Sequence, residues 1–211
     1  MSFFKIVVLI AATIALFSFI NNQEDEDDGN YFVPEKTTIV AFGDSITKGY
    51  RVDDNASYPA QLSNLLHTNV INAGISGEDT SRGLLRLPSV LKKYKPNILI
   101  LCEGGNDILR GQDLRKTKEN LAQMIQLAQK QHIFVILVGV PKLDILRVTT
   151  ASFYEDLAAQ FHVPLADDIL QTIVNDDTLK IDDVHPNAKG YTLLSKKIAE
   201  IVTNQYIDLN I

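Results

Sequence analysis

The chain has 211 residues, 45% of them apolar and 22% charged, with 20 Lys and Arg against 26 Asp and Glu for a formal net charge of -6. These proportions are those of an ordinary globular protein with one folded domain, and they exclude a disordered, collagenous or disulfide-stapled chain. Lys5 is the only charge before residue 24 and Glu24 to Asp28 are consecutive acids, so from Gly29 onward 19 basic residues face 21 acidic ones; a body this close to neutral lacks the basic face that a nucleic-acid partner requires.

The first element is an apolar run from Ile6 to Ile20, broken only by Thr13 and Ser18. As a helix it would be roughly 22 Å long, short of the ~30 Å hydrocarbon core. Lys5 before it and the acids after it orient the N-terminus toward the cytoplasm and the rest outward. Residues 1–22 therefore read as a signal peptide or, because Leu16 to Asn21 offers no small-x-small cleavage site, as an uncleaved signal anchor. The run is apolar on every face, which disfavours an amphipathic core helix. No Cys closes it, which excludes a lipid-modified cysteine. Residues 23–36 read as an acidic linker, a solvated spacer without the alternating ligands and turn glycine of a calcium loop. The expectation is an exported protein, periplasmic or otherwise extracytoplasmic, secreted or tethered to the membrane by its leader, and monomeric.

From residue 37 to 211 short apolar runs alternate with amphipathic ones. Thr38 to Phe42, Asn69 to Ala73, Asn97 to Cys102, Ile133 to Val138 and Val163 to Ala166 are near-continuous apolar runs, as expected of parallel strands covered on both faces. Between them lie helical stripes: Leu62, Leu65 and Leu66; Leu84, Leu87 and Leu91; Leu121, Met124, Ile125 and Ala128; Tyr154, Leu157, Ala158 and Phe161. A last stripe runs Tyr191, Leu194, Ile198, Ile201 and Val202. Strand then helix, five times over, predicts an α/β fold, a three-layer αβα sandwich around a five-stranded parallel sheet. Pro164 has no N–H for a ladder bond, which puts the fifth strand at an edge. The lone Cys102 lies in an apolar run and reads as a small buried hydrophobe.

In such sheets ligands sit at the carboxyl ends of the strands. There the chain places Gly43-Asp44-Ser45, Asn72-Ala73-Gly74-Ile75-Ser76-Gly77-Glu78 and Glu103-Gly104-Gly105-Asn106-Asp107, with Asp182-Asp183-Val184-His185-Pro186 ahead of the last helix. Together they supply a hydroxyl, backbone N–H groups, an amide and a carboxylate-imidazole pair, the set that acyl transfer needs. A serine hydroxyl requires an adjacent base, and an imidazole with an unperturbed pKa of ~6.5 serves. His185 is preferred because Asp182, three residues earlier, can reach its second ring nitrogen; Asp183 is the rival carboxylate. His67, His132 and His162 stand at helix-strand junctions without such partners. Asp176, Asp177, Asp182, Asp183 and His185 have no second His or Cys at ligand spacing, so a metal site is disfavoured.

The ordered set Gly-Asp-Ser, Asn-Ala-Gly-Ile-Ser-Gly, Gly-Gly-Asn-Asp and Asp-x-x-His-Pro resembles the SGNH (GDSL-type) hydrolase family over about Thr37 to Val202. The resemblance implies a flavodoxin-like sheet, Ser45 as nucleophile, His185 as base and Asp182 orienting it. The implied oxyanion hole is the N–H of Ser45, the N–H of Gly77 and the side-chain amide of Asn106. No metal and no cofactor is implied. Asp44 and Asp107 have no assigned chemical step and would hold the loops by hydrogen bonds, while Gly74, Gly104 and Gly105 would allow tight backbone. Gly105 to Gly111 and Arg82 to Pro88 resemble the exported thioesterase, lysophospholipase and arylesterase branch, which implies acyl esters, thioesters or lysophospholipids as substrates. A carbohydrate O-acetylesterase of the same fold, and a non-catalytic lipid- or glycan-binding module, are the alternatives. The loops at Val140 to Asp144 and Ile108 to Leu114 would line the acyl site.

Overall fold

Ile39-Val40-Ala41-Phe42-Gly43 forms β1 and Ile98-Leu99-Ile100-Leu101-Cys102 forms β3, every residue buried, because both strands lie between helices on either side. The computed structural model describes residues 31, 33–143 and 148–208; the leader (1–22), the acid run at 24–28 and Asp144 lie outside the described residues. With β2 (Val70–Gly74), β4 (Phe134–Val138) and a final pair of residues, β7 (Leu165–Ala166), these strands make a five-stranded sheet of order β2-β1-β3-β4-β7, all parallel. This is the flavodoxin-like order, and the strand order reverses between β1 and β3.

Register decides where the site lies. Gly43 at the end of β1 pairs with Gly74 of β2 on one side and with Cys102 of β3 on the other. Three strand ends are therefore level, and the peptides that follow them emerge side by side.

Both edges of the sheet depart from the all-covered pattern, each for a physical reason. β2 is an edge strand, so only Val70 is buried and Ile71, Ala73 and Gly74 are half-covered, although its sequence reads like that of an interior strand. At the other edge Pro164 contributes its carbonyl to the N–H of Leu137 at 3.0 Å while its own nitrogen has nothing to donate, which shortens β7 to two residues.

Right-handed crossovers put the helices on both faces. On one side α2 (Tyr58–Leu65) packs against α8 (Ala188–Asp208), and on the other α3 (Thr80–Tyr94) packs against α5 (Leu114–Gln129), which meets α6 (Phe153–Phe161). The apolar stripes face inward: Leu87 and Leu91, then Leu121, Met124, Ile125 and Ala128, then Tyr191, Leu194 and Ile198 are buried. Helix starts follow from short acids. Asp79 accepts from the Arg82 N–H at 3.1 Å and Asp113 from the Arg115 N–H at 3.0 Å, satisfying donors that a first turn leaves without partners.

His67, His132 and His162 each adopt a left-handed φ, of 48°, 59° and 53°, at turns that lead out of helices toward strands. Histidine is among the non-glycine residues enriched there, which gives all three a turn role away from the chemistry. Two further elements were not visible in the sequence: a hairpin of β5 (Pro141–Leu143) with β6 (Val148–Thr150), and the short α7 (Ile169–Asn175). Ahead of Thr37, Val33 is buried and Tyr31 packs against the core. Among the described residues no helix is long and apolar enough to cross a membrane.

Candidate active site

After β1 the chain turns at Asp44 into a one-turn helix, α1 (Ser45–Lys48), whose cap is the Asp44 carboxylate accepting from the Ile46 N–H at 3.0 Å. This puts Ser45 at the first helical position, half-exposed toward the strand ends. The close docking of α1 on β2 requires Gly74: a Cβ there would stand 2.2 Å from the backbone nitrogen of Lys48.

His185 arrives from the far end of the chain on a loop pinned at several points. The Ile181 N–H donates to the His185 carbonyl at 2.8 Å, the Asn187 amide donates to the Thr178 carbonyl at 2.8 Å, and Asp182 accepts from the N–H groups of Val184 at 3.1 Å and His185 at 2.9 Å. Ser45 Oγ then stands 2.9 Å from His185 Nε2, across 140 residues of sequence. His185 Nδ1 lies 2.8 Å and 3.0 Å from the two oxygens of Asp182. A carboxylate can only accept, so Nδ1 carries the ring proton and Nε2 offers its lone pair to the Ser45 hydroxyl. Partial burial raises the Asp182 carboxyl, but the N–H groups of Val184 and His185 and the imidazole outweigh it and hold the acid below the usual carboxylate range. Asp183 is exposed, and the ring contact is made by Asp182. The other acids of that loop are engaged locally: Asp176 accepts from Thr178, and Asp177 pairs with Lys180 at 2.9 Å.

Asn106 belongs to α4 (Gly105–Leu109), directly after β3. Its Nδ2 donates to Asp44 Oδ2 at 3.0 Å. An amide nitrogen carries two hydrogens, so one remains for the pocket. Gly77 takes a φ of 75°, a left-handed turn that glycine adopts without a Cβ penalty. Its carbonyl is held from outside by the guanidiniums of Arg110, at 2.9 Å, and Arg82, and both arginines also reach Asp79. Asp107 accepts from the Thr80 N–H at 2.9 Å, the Thr80 hydroxyl at 2.5 Å and the Thr117 hydroxyl at 3.2 Å, tying α4 to α3 and α5.

These groups open on one cavity of about 230 Å³, lined by Ser45, Gly77, Asn106 and His185 together with Ile46, Leu109, Val140, Pro141, Leu170, Val174 and Val184. The two loops expected to line the site contribute Leu109, Val140 and Pro141. Sequence reading missed Leu170 and Val174, although their four-residue spacing is that of one helix face. It also missed Tyr50, whose ring lies 4.5 Å from that of His185 at 40°. The Arg82 and Arg110 grip on Gly77 left no sequence signal.

Burial raises the Asp44 carboxyl from 3.8 to about 6, against the Ile46 N–H, His185 and the Asn106 amide, which pull it down, while Asp107 adds to the rise. An acid with a raised folded pKa holds its proton longer in the native state, so its contribution to stability is largest below the unfolded value and falls as pH climbs to the folded one. The difference corresponds to roughly 3 kcal/mol. Asp44→Asn removes this titration, so between about pH 4 and about pH 7 the variant gains stability relative to wild type by up to roughly that amount. Urea unfolding of both proteins at the two pH values checks it; a constant difference would contradict the buried, titrating Asp44. Burial also raises the Cys102 thiol well above its ordinary value, consistent with an inert side chain.

The description that matches residues 41–193 is that of the GDSL-like lipase/acylhydrolase family. Escherichia coli (strain K12) "Thioesterase 1/protease 1/lysophospholipase L1" is 31% identical over 170 residues, covering 77% of this chain and 82% of that protein. An arylesterase of Vibrio mimicus is 28% identical over 172 residues, covering 77% and 86%. The crystal structure of TesA superposes with a TM-score of 0.72 at 26% identity, covering 80% of this chain and 99% of that one. The match extends from β1 into the final helix and takes in every peptide that lines the cavity, and on that extent the chain belongs to the GDSL-like lipase/acylhydrolase family.

Proposed function

We propose that the protein hydrolyses acyl esters and thioesters through an acyl-serine intermediate. The observation that carries this reading is the continuous relay from Ser45 Oγ at 2.9 Å to His185 Nε2 and from Nδ1 at 2.8 Å to Asp182, at the wall of an apolar cavity. His185 takes the Ser45 proton as Oγ attacks the carbonyl carbon, and Asp182 stabilises the imidazolium that forms. The carbonyl oxygen becomes an oxyanion and receives the N–H of Ser45, the N–H of Gly77 and the second N–H of Asn106. His185 returns the proton to the leaving alcohol or thiol. Water, activated by the same imidazole, then releases the acid and regenerates Ser45.

The cavity bears on the substrate. At about 230 Å³ it has room for more than an acetyl group, and its aliphatic lining suits an acyl chain better than a sugar. Turnover of p-nitrophenyl esters is therefore expected to rise from acetate to chains of roughly six to eight carbons, with activity on lysophospholipid and acyl-CoA as well. Acetate-only turnover would instead point to a carbohydrate O-acetylesterase. Failure of folded protein to label at Ser45 with a fluorophosphonate would point to a lipid- or glycan-binding module. The apolar run and acid spacer of residues 1–28 support export, with a monomeric catalytic domain released outside the cytoplasm or held at the membrane by its leader.

A further inference from the structure

Glu103 plays no part in the steps above and yet lies at the centre of the site's support. It directly follows β3, one residue ahead of the Gly104-Gly105-Asn106 turn, and its exposure is 0%. Its Oε2 accepts from the Gly104 N–H at 3.3 Å, and among the described residues Oε1 finds no donor. Glu78, the residue after Gly77, is 4% exposed and is bound by Arg86 of α3, whose Nε reaches its two oxygens at 2.9 Å and 3.0 Å and whose Nη2 also reaches Oε2. Arg86 is itself seated 4.0 Å above the Phe42 ring. With no donor at Oε1, the buried Glu103 carboxyl has the Glu78 carboxyl within hydrogen-bonding reach, and the bond between them is part of what we infer below. Two carboxyl groups can bond to each other only if one of them carries a hydrogen. The Arg86 fork fixes Glu78 as the carboxylate, so the hydrogen is on Glu103.

We infer that Glu103 and Glu78 form a carboxylic acid–carboxylate clasp that ties the Gly77 loop to the Asn106 turn, with Glu103 acting as a positioning residue for both oxyanion donors. The inference rests on the reading that Gly77 and Asn106 receive the oxyanion. Its chemistry is consistent around the whole group. Burial first, then the carboxyls of Asp44 and Glu78, push Glu103 well above the usual carboxylate range. Asp44 faces it from the β1 turn and Glu78 from the β2 loop, with Arg86 bonded to Glu78 on the α3 side. Cys102 precedes it in the chain, the Tyr154 hydroxyl of α6 donates to its main-chain carbonyl at 2.6 Å, and Asp107 of α4 is occupied by Thr80 and Thr117. Gly83 leaves room for the acid: a Cβ there would approach Glu103 Oε1 to 3.3 Å.

The test compares Glu103→Leu and Glu103→Gln with wild type. Leucine keeps the Glu78–Arg86 pair and removes the bridge; kcat on a p-nitrophenyl ester is expected to fall by roughly 10²-fold, the cost of a small misplacement of catalytic groups, with KM changed by less than about threefold. Glutamine, whose amide still donates to Glu78, is expected to recover at least roughly tenfold of that loss. Infrared spectra at neutral pH should show a protonated-carboxyl band that Glu103→Gln removes. Wild-type kcat in a folded Glu103→Leu, no recovery by glutamine, or an unchanged carboxyl band would each overturn the clasp. Ser45→Ala and Asn106→Ala are measured alongside. If those two keep turnover, the site reading falls and the clasp with it; if they lose turnover while Glu103→Leu does not, the clasp alone falls.

Discussion

Ser45→Ala is expected to leave a folded protein whose ester turnover is lower by roughly 10⁴-fold or more, because no other group can form the acyl intermediate. Ser45 is half-exposed, and its side chain's bond to His185 at 2.9 Å joins two loops that are otherwise pinned independently. Removing one hydroxyl there leaves the core untouched, so the melting temperature should shift by only a few degrees, about what a change of ~1 kcal/mol produces. Two measurements check the result. A p-nitrophenyl ester assay reports turnover, and intact mass after fluorophosphonate treatment reports one adduct on wild type and none on the variant. Wild-type hydrolysis by Ser45→Ala would refute the acyl-serine route, whatever the fold.

The second large effect separates neighbouring acids. In Asp182→Asn the amide oxygen can stay at the Oδ1 position, accepting from Val184, His185 and, at 2.8 Å, Nδ1, while the NH₂ replaces the oxygen that stood 3.0 Å from Nδ1. The NH₂ crowds the Nδ1–H and weakens the tautomer that accepts from Ser45, and the neutral amide no longer stabilises the imidazolium that forms when His185 takes the Ser45 proton. Turnover should fall by roughly 10³- to 10⁴-fold. Asp183→Asn changes an exposed side chain and should stay within about twofold of wild type. Steady-state kinetics on the two variants discriminates them. Equal losses, or a greater loss at Asp183, would overturn the assignment of Asp182 to the ring.

What the sequence revealed followed from burial. β1, β3 and β4 lie inside the sheet, so their apolar runs are continuous and easily read, and the peptides after them meet at the cavity with the Gly77 loop after β2 and the His185 loop. Ser45 and His185 could be paired across 140 residues because strand ends in this topology converge. Where position within the sheet mattered, the sequence was ambiguous: β2 reads like an interior strand but is an edge. The hairpin at 141–150 was hidden because its strands are three residues long, too short for a period to show. Tyr50 reaches His185 only because α1 ends after one turn. The meeting of Glu103 with Glu78, and of Arg82 with Arg110 at one carbonyl, depends wholly on tertiary approach, which no spacing along the chain encodes.

The level pairing of Gly43 with Gly74 and Cys102 links the chemistry to cooperative unfolding. A slip of one residue in either pairing would displace a catalytic peptide by ~3.3 Å and turn its side chains to the opposite face. The active geometry therefore has no low-energy distortion through sliding of the central strands. It needs those strands and also the loops that carry Gly77 and His185, so ester turnover during heating reports whichever of these opens first.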